Sequence, residues 1–340
     1  MLINDIHVDK DNIEEFNKNW DEAIKVCQCE GVVDMVVGGD MFTSRSSQTL
    51  SVLLAVKRAL LRATTKGITV TLAEGNHDKV NQEEIEGYNH IFAGLKGVDV
   101  IDNHEALYWE GAKCALLVVC YFPENGSFLD KLDTAITDAI LKLNPDVNSE
   151  NQIVLYIHEG VHGALGEFDI DGELPQEPFE NFHKVLCGHY HNRVRIKNTN
   201  IEYIGSSRQH NFGEDEEKGY TLFYDDGSTK FVKNEVNTRY ATHEISFKEL
   251  SKLSLQPKDN YKYKLKVRCT EKQSKDVDKQ ALLEMGYNKV ELVVSSSVSA
   301  ETSASSIDEK YDINGIKKEY VNFCNEQSID SSLGIKYLEE

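Results

Sequence analysis

The stretch VVDMVVGGDMF, from Val32 to Phe42, places a short apolar run directly before two glycines and an aspartate. A run of this length, rich in β-branched residues and closed by glycine, predicts a buried β-strand followed by a turn. Open α/β sheets present their functional side chains at the carboxyl ends of strands. The stretch therefore predicts a core strand with Asp40 at a position where a functional group would lie.

The regions on either side of this strand alternate between helical and strand patterns. Apolar residues at helical spacing predict helices over Ile13–Cys27, Leu50–Ala63, Gln82–Leu95 and Phe128–Leu143. Short apolar runs predict strands at ITVTLA, VDVID, CALLVVCYF, QIVLYI and KVLCG, and then at IEYIGS, YTLFYDDG and TKFVKN. Strands that alternate with helices predict an α/β fold in which helices cover the sheets. These patterns predict that the α/β domain comprises residues 1–238.

The pattern changes toward the end of the chain. YKYKLKVRC alternates with period two, KDVDKQALLEMG has a helical pattern that ends at glycine, and KVELVVS is a strand. Together they predict a small α+β module over residues 239–294. The polar run SSSVSAETSASS predicts a flexible linker over residues 295–306. Residues 307–340 have a helical pattern that either packs back on its own domain or docks on a partner.

The composition limits the classes of function. The chain has 340 residues, 40% hydrophobic and 28% charged, as in ordinary globular proteins. Its net charge of -20 argues against broad electrostatic attachment to nucleic acid, although not against phosphate contacts made through bound metal ions. The apolar runs are too short to cross a bilayer and the start lacks a signal-peptide pattern, so we expect a cytoplasmic protein. Seven cysteines, with only Cys27 and Cys29 close together, indicate neither a disulfide framework nor a zinc ribbon.

Five short segments place metal-binding types of side chain at the ends of predicted strands. Residues two apart in a strand point to the same face, so Asp5 with His7, and His189 with His191, can converge. Imidazole and carboxylate together suit manganese, iron or zinc, and Asp40 is the natural carboxylate bridge between two ions. Two ions about 4 Å apart can hold a phosphodiester and activate water. The segments are NDIHV (Asp5, His7), GGDMF (Asp40), EGNHDK (Asn76, His77, Asp78), YIHEG (His158) and CGHYH (His189, His191).

Each of these residues has an ordinary structural explanation when it is taken alone. Asp40 would cap a turn or a helix, Asn76 would be a left-handed turn residue, and His189 would be a partly buried core histidine. Five segments in one order, each after an apolar run, favour a shared metal site over separate explanations. The other histidines fit no such pattern and are interpreted as structural: His90, His104, His162, His183, His210 and His243.

The combined motifs resemble the complete set of the calcineurin-like metallophosphoesterases: Asp5-x-His7, Gly39-Asp40, Gly75-Asn76-His77-Asp78, His158 and Gly188-His189-x-His191. Within that superfamily, YIGSSRQHNFGEDEEKGYTLF, from Tyr203 to Phe223, resembles the SbcD family of DNA double-strand-break nucleases. The order of core, capping module, linker and helical tail is also similar. The resemblance implies a four-layer α/β sandwich of two mixed β-sheets flanked by helices, with an α+β capping domain and a C-terminal helical tail.

The resemblance also implies a role for each residue. One divalent ion would be held by Asp5, His7, Asp40 and His191, and the other by Asp40, Asn76, His158 and His189. The catalytic residue His77 would act on the scissile phosphate or the leaving group, and Asp78 would orient His77 or simply cap the following turn. Relatives often carry histidine or aspartate where this chain has Thr43, which leaves a second catalytic or phosphate-positioning group missing. Arg45 is either close enough to offer a phosphate contact or an exposed arginine without such a role.

Members of the SbcD family cleave DNA with manganese, as exonucleases on duplex ends and as endonucleases on single strands or hairpins. The resemblance therefore implies two divalent ions, manganese before magnesium or iron, and a role in DNA repair and recombination. It also implies a homodimer and an SbcC-like coiled-coil ATPase partner bound by the C-terminal segment.

Two other interpretations stay open. A phosphatase or small-molecule phosphodiesterase would share the metal site, because only the surrounding surface selects the substrate. A non-catalytic scaffold would be favoured by loss of ligands, but none of the seven is lost. The GSSRQHNFGE segment and the linked C-terminal helix favour the nuclease, since a small phosphatase needs neither.

Overall fold

The computed structural model describes residues 1–123, 127–142, 152–166 and 172–295, together with Tyr320 and Cys324. The α-helices in these ranges are α1 (Ile13–Glu30), α2 (Leu50–Thr65), α3 (Phe128–Lys142), α4 (Glu271–Ser274) and α5 (Lys279–Glu284). The strands are β1 (Leu2–Ile3), β2 (Asp34–Val37), β3 (Thr69–Ala73), β4 (Val98–Ile101), β5 (His104–Leu107), β6 (Ala115–Val119), β7 (Ile153–Ile157), β8 (Lys184–Cys187), β9 (Val194–Arg195), β10 (Ile201–Tyr203), β11 (Gly219–Phe223), β12 (Thr229–Lys233), β13 (Arg239–Ser246), β14 (Tyr261–Thr270) and β15 (Lys289–Ser295).

The first sheet contains six strands in the order β12-β11-β1-β2-β3-β4. Strands β1 to β4 run parallel, with Leu2 opposite Val36 and Val36 opposite Thr71. Strand β11 is antiparallel to β1, and β12 is antiparallel to β11. The predicted strand that ends at Val37 is therefore an inner strand of this sheet.

The second sheet also contains six strands, in the order β5-β6-β7-β8-β10-β9. Its four inner strands run parallel, and β5 and β9 are antiparallel edge strands. Both sheets are therefore mixed. Within each sheet the parallel strands end at the same edge.

Two buried clusters hold the layers of this domain together. One packs α1 and α2 on a face of the first sheet, where Trp20 is fully buried and its indole Nε1 donates a 2.8 Å hydrogen bond to the carbonyl oxygen of Ala59. The other packs the opposite face of the first sheet, through residues such as Val36, against the second sheet and α3. Burial of each large apolar side chain contributes about 2 kcal/mol. The expected architecture of two mixed sheets flanked by helices is confirmed.

The helix predicted over Gln82–Leu95 is wrong, because this region contains only a short 3₁₀ helix, Tyr88–Phe92. Polar contacts with the preceding loop hold its backbone instead. The N–H of Tyr88 donates to the carbonyl oxygen of Asp78 at 2.7 Å, and the backbone and side chain of Asn89 both donate to the buried carboxylate of Glu74. These bonds take donors that an α-helix would need. Sequence patterns also fail to predict the edge strands β5 and β9, which form by pairing with their neighbours.

A three-stranded sheet, β13-β14-β15, follows the two large sheets. In β14 the side chains of Tyr263, Leu265, Val267 and Cys269 are buried and those between them are more exposed, which confirms the predicted period of two. The short helix α5 lies within the predicted helical pattern KDVDKQALLEMG, whereas α4 precedes that pattern and was not predicted.

The chain forms two compact units. The first comprises Met1–His243, Ser254–Leu265 and Leu282–Lys289, and the second comprises Glu244–Leu253, Lys266–Ala281 and Val290–Glu340. The domain limits at residues 238 and 294 stay predictions. The predicted linker at 295–306 and the tail at 307–340 lie outside the described residues, apart from the end of β15, Tyr320 and Cys324. In the part of the chain that is described, no helix has the length and apolar character needed to cross a membrane.

Candidate metal centre

The predicted metal-binding side chains lie in loops that follow the carboxyl ends of parallel strands. The loops after β1, β2, β3, β7 and β8 carry, in that order, Asp5 and His7, then Asp40, then Asn76, then His158, and then His189 with His191. The loops of both sheets border one cleft of about 570 Å³, which is lined in part by His7, Asp40, Asn76, His77, His189 and His191. Asp5 and His158 are fully buried beside it.

Asp40 lies between the two groups of histidines. Its Oδ2 is 3.5 Å from Nε2 of His7 and 3.3 Å from Nε2 of His158. Its Oδ1 accepts a 2.8 Å hydrogen bond from the backbone N–H of His77. Asp40 would therefore help to hold cations on both sides, next to His7 and next to His158.

The first group consists of Asp5, His7 and His191. The Nε2 atoms of His7 and His191 are 3.1 Å apart, and Oδ1 of Asp5 lies 4.0 Å from Nε2 of His191. Nδ1 of His7 lies 3.2 Å from the carbonyl oxygen of Phe42, and Nδ1 of His191 lies 2.9 Å from Oε1 of Glu214. When Nδ1 donates to these acceptors, Nε2 carries the lone pair that a metal ion requires.

The second group contains a buried nitrogen that fits a cation. Nδ1 of His158 lies 3.0 Å from the carbonyl oxygen of Gly38, and its buried Nε2, aimed at Asp40, has no hydrogen-bond partner among the described residues. Oδ1 of Asn76 is 3.3 Å from Nδ1 of His189. Oxygen and nitrogen lone pairs that converge in this way are the donor set of a divalent transition-metal ion.

Four of these residues have a backbone conformation that is rare outside glycine. The φ angle is 49° at Asp5, 50° at His7, 52° at Asp40 and 81° at His189. Among the described residues other than glycine, only Asn198 shares a positive φ. Each such conformation costs about 1–3 kcal/mol and persists only where the surrounding structure imposes it. The strain is therefore concentrated on the candidate ligands.

Hydrogen bonds to the carbonyl oxygen of His7 hold the first of these strained loops. The side chains of Asn12 and Thr43 each donate at 2.8 Å, and the buried guanidinium of Arg208 donates at 3.0 Å. Arg208 also donates to the carbonyl oxygen of Ile6 at 3.0 Å. The loop is thus fixed by three side chains from different parts of the chain.

Glycines in the motifs allow the loops to approach each other closely. A methyl group at Gly75 would collide with the backbone and the carboxylate of Asp40, and one at Gly39 would lie 2.6 Å from Nδ1 of His158. Any larger residue at these two positions would displace a candidate ligand.

The electrostatic environment differs between the histidines. Burial lowers the pKa of His7 and of His189 to about 4, so both rings are neutral near pH 7. Burial would raise the pKa of Asp40, but His158 and His7 hold it well below its usual range. Burial would likewise lower the pKa of His158, but the carboxylates of Asp40 and Asp5 raise it to about 9. The carboxylates thus stabilise a positive charge at this place, and a divalent ion would satisfy the same demand.

His77 is half-buried at the mouth of the cleft. Its Nδ1 lies 2.7 Å from the carbonyl oxygen of Thr43, so Nδ1 carries a proton and Nε2 is available to a substrate. Thr43 therefore supports His77 through its backbone, although its side chain differs from the histidine or aspartate of relatives.

Asp78 was expected to orient His77, but its carboxylate binds backbone N–H groups instead. Its two carboxylate oxygens accept hydrogen bonds from the backbone N–H groups of Phe42 at 3.1 Å and Gly75 at 2.8 Å. The carbonyl of Thr43 orients the His77 ring, and Asp78 ties two ligand-bearing loops together, which is closer to its alternative capping role.

Several residues in or beside the cleft are not found by the metal-ligand patterns. Glu214 contacts Nδ1 of His191 with one oxygen and accepts from the backbone N–H of His210 with the other, at 3.0 Å. Glu214 and His210 both belong to the segment Tyr203–Phe223. The resemblance of this segment to the nuclease family was the sequence feature that could have pointed to them. The cleft is also lined by Arg45, Arg208, His210, Tyr240 and Lys262.

The family model of the calcineurin-like phosphoesterases matches residues 1–193, more than half of the chain. The chain belongs to this family. The matched range of this phosphoesterase contains all seven candidate ligands. Among solved structures, the chain is similar to the Pseudomonas putida nuclease MPE, with 13% sequence identity, a TM-score of 0.27, and coverage of 58% of this chain and 64% of that one. The match thus spans less than two thirds of that nuclease, and no curated protein matches the chain.

Phosphoesterases of this family are metal-dependent hydrolases, and the chain has the residues to hold divalent ions. The described residues contain three clusters in which the candidate ligand atoms all lie within 4.8 Å of one another. They are Asp5, Asp40 and His158; His7, Asp40 and His77; and His7, His191 and His210. The arrangement can hold a phosphate ester between cations and a free imidazole nitrogen.

Proposed function

We propose that the chain is a two-metal-dependent DNA nuclease of the SbcD type, an exonuclease on duplex ends and an endonuclease on single strands. The observation that carries this proposal is the convergence of the candidate ligands around Asp40, with Nε2 of His77 free at the cleft mouth. This arrangement provides a place for two cations next to a proton donor or acceptor. Such a pair offsets charge on both the attacking and the leaving oxygen of a phosphodiester.

We assign different roles in the reaction to the metal ions and to the protein side chains. The candidate ligands would hold two divalent ions, for which we propose manganese, and these ions would supply positive charge for the phosphate and Lewis-acid activation of water. His77 handles the proton at the leaving-group oxygen, because its Nε2 is left available at the cleft mouth when Nδ1 donates to the carbonyl oxygen of Thr43. Its ring is held by the carbonyl of Thr43, and its backbone N–H is held by Asp40.

Arg45 supplies the phosphate contact that Thr43 does not. The hydroxyl of Thr43 donates to the carbonyl oxygen of His7, so its proton is already used within the protein. The guanidinium of Arg45 lies in the cleft against the side-chain amide of Asn76, and the Tyr88 hydroxyl donates to the carbonyl of Arg45 at 3.0 Å. Guanidinium groups bind phosphate oxygens in bidentate geometry. Arg45→Gln should therefore raise KM for DNA while the affinity for Mn²⁺ stays unchanged.

The segment Tyr203–Phe223 favours a DNA substrate over a small ester, because its sequence resembles the nuclease family. Its residue Glu214 supports His191 in the cleft. Tyr240 and Lys262 also line the cleft, with Nζ of Lys262 3.3 Å from the Tyr240 hydroxyl. An aromatic ring and a cation next to each other suit a nucleic-acid strand, which offers both bases and phosphates.

We also propose that the chain acts in the cytoplasm as the nuclease subunit of an SbcCD-like complex that processes DNA ends in repair and recombination. Residues 307–340 would bind the coiled-coil ATPase. A homodimer would use the outer face of α1 and α2, where Leu50 is 70% and Leu61 42% exposed.

The proposed function is tested with purified protein and Mn²⁺ on four substrates: linear duplex DNA, single-stranded DNA, bis-p-nitrophenyl phosphate and p-nitrophenyl phosphate. We expect DNA and the diester to be cleaved, and we expect EDTA or Asp40→Asn to abolish cleavage. Cleavage of the monoester with both DNA substrates intact, alone and with an SbcC-like ATPase, would identify a phosphatase instead. No hydrolysis of any substrate by a metal-loaded protein would favour a scaffold.

A further inference from the structure

A third histidine lies beside the His7 and His191 pair. The ring centroid of His210 is 5.0 Å from that of His7 and 4.7 Å from that of His191. One ring nitrogen from each of the three lies within 4.8 Å of the other two. His210 lines the same cleft as the pair, but no motif of the family places a ligand at this position.

Two hydrogen bonds fix the position of His210. Its Nε2 lies 2.9 Å from the carbonyl oxygen of Asp5, and its backbone N–H donates to Oε2 of Glu214 at 3.0 Å. Because a carbonyl oxygen can only accept, Nε2 carries the proton and Nδ1 holds the lone pair. Among the described residues Nδ1 has no hydrogen-bond partner.

Glu214 couples His210 to His191. Its Oε1 lies 2.9 Å from Nδ1 of His191 while its Oε2 accepts from His210, and the ammonium group of Lys218, 3.5 Å from Oε2, holds the carboxylate in place. One carboxylate therefore holds the ring of His191 and the backbone of His210, two residues whose imidazoles lie next to each other. Such support is typical of residues whose orientation matters for a metal ion.

We propose that His210 is a further nitrogen ligand of the ion held by His7 and His191, a role that rests on the proposed two-metal function. Its fixed ring, its available lone pair and its distance from the other two imidazoles carry this proposal. A third imidazole changes which ion the site prefers. Mg²⁺ takes oxygen ligands and keeps its waters, whereas manganese, iron and zinc accept imidazole. His210 thus makes this site selective for a transition metal over Mg²⁺.

The test is His210→Gln in the full-length protein, titrated with Mn²⁺ and separately with Mg²⁺ by calorimetry. The glutamine amide can still donate to the Asp5 carbonyl but offers no imidazole lone pair. We expect the affinity for Mn²⁺ to fall about tenfold or more and that for Mg²⁺ to change less than about twofold. His210→Asp offers an oxygen ligand instead, and it should shift the preference toward Mg²⁺.

The ratio of the two affinities separates a ligand from a structural residue. If both affinities fall together, or neither changes in either variant, His210 only holds the loop and the proposal is overturned. His243→Gln is the matched control, a histidine that contacts the Tyr287 hydroxyl and should alter neither affinity. Thermal unfolding of the chelated variants confirms that they fold. Wild-type protein that binds neither ion would overturn the proposed function itself, which is a distinct result.

Discussion

Histidine serves three purposes in one cleft, and the neighbours of each ring decide which. Burial keeps His7 and His189 neutral, with pKa values of about 4. Carboxylates overcome burial at His158 and raise its pKa to about 9. His77 lies at the mouth with one nitrogen tied to Thr43 and the other free. The same side chain thus offers lone pairs at His7 and His189, a proton at His158 and a free ring nitrogen at His77.

Replacement of His77 by alanine separates chemistry from metal binding. We expect His77→Ala to keep its affinity for Mn²⁺, because the lone pairs of the proposed ligands are untouched. Turnover should fall by about 10²–10⁴-fold, the usual contribution of a positioned acid or base. Calorimetry with Mn²⁺ and diester hydrolysis measure the two quantities.

His90→Ala is the control for this prediction. His90 is 43% exposed at its side chain and pairs with Asp102, so neither metal affinity nor turnover should change. A large loss of Mn²⁺ affinity in His77→Ala would instead make His77 a ligand, as its cluster with His7 and Asp40 allows.

At the scale of elements, the site depends on loops that are held by other loops. The strained turns after β1, β2 and β8 carry ligands with positive φ, and hydrogen bonds from distant residues support them. The segment between β10 and β11 contributes to this support through Arg208, His210 and Glu214. A segment without a motif ligand therefore determines the geometry of the motif ligands.

Substitution of Glu214 tests this dependence. Glu214→Gln replaces a charged acceptor by an amide and weakens the hold on Nδ1 of His191. We expect the affinity for Mn²⁺ to fall about 10–100-fold, as is usual when the partner of a ligating histidine is altered. Calorimetry measures the change.

Glu217→Gln is the matched control three residues further on. Glu217 is 59% exposed and pairs with Lys233 at 2.7 Å, so its loss should leave metal affinity unchanged. Equal effects in the two variants would mean that the general negative charge of the segment, and not the contact with His191, supports the site.

At the scale of the whole molecule, an acidic chain gathers carboxylates and histidines in one cleft. The chain carries 57 acidic against 37 basic residues, and self-repulsion of this kind opposes compactness. Divalent cations held by these residues would offset part of that charge, because the candidate ligands lie on loops from both large sheets. Metal binding should therefore be coupled to the stability of the fold.

Addition of Mn²⁺ should raise the unfolding temperature, and EDTA should reverse the rise. At a free concentration 100 times Kd, one bound ion adds about 2.7 kcal/mol to the free energy of unfolding. Calorimetric melting of wild type and Asp40→Asn measures the effect, which we expect to be largely lost in the variant. An equal shift in both proteins would place the binding elsewhere.

The free energy of unfolding of the metal-free protein should also depend on pH, because His158 has a shifted pKa. Its pKa of about 9 lies above the ordinary value of 6.5, so its contribution to stability is complete below pH 6.5 and is lost as the pH rises through 9. We expect the difference in unfolding free energy between chelated wild type and His158→Gln to decrease over this range. Denaturant unfolding at a series of pH values measures it, and a difference that grows with pH would contradict the assignment.

The sequence by itself determined the fold class and the candidate ligands. Both are local: a run such as VVDMVV defines a strand through its own side chains, and the residue after the strand is carried to the sheet edge with it. The predicted helix at Gln82–Leu95 failed because contacts with Glu74 and Asp78, outside the segment, hold its backbone.

The tertiary structure alone decided what surrounds the ligands. In the folded chain a backbone carbonyl orients His77, and Glu214 contacts Nδ1 of His191. His210 lies next to His7 and His191, although sequence patterns interpret it as a structural histidine. The contact of His210 with Asp5 joins residues 205 positions apart. Periodicity and motif spacing describe neighbours along the chain, whereas these contacts exist only after two sheets have packed and brought their loops together.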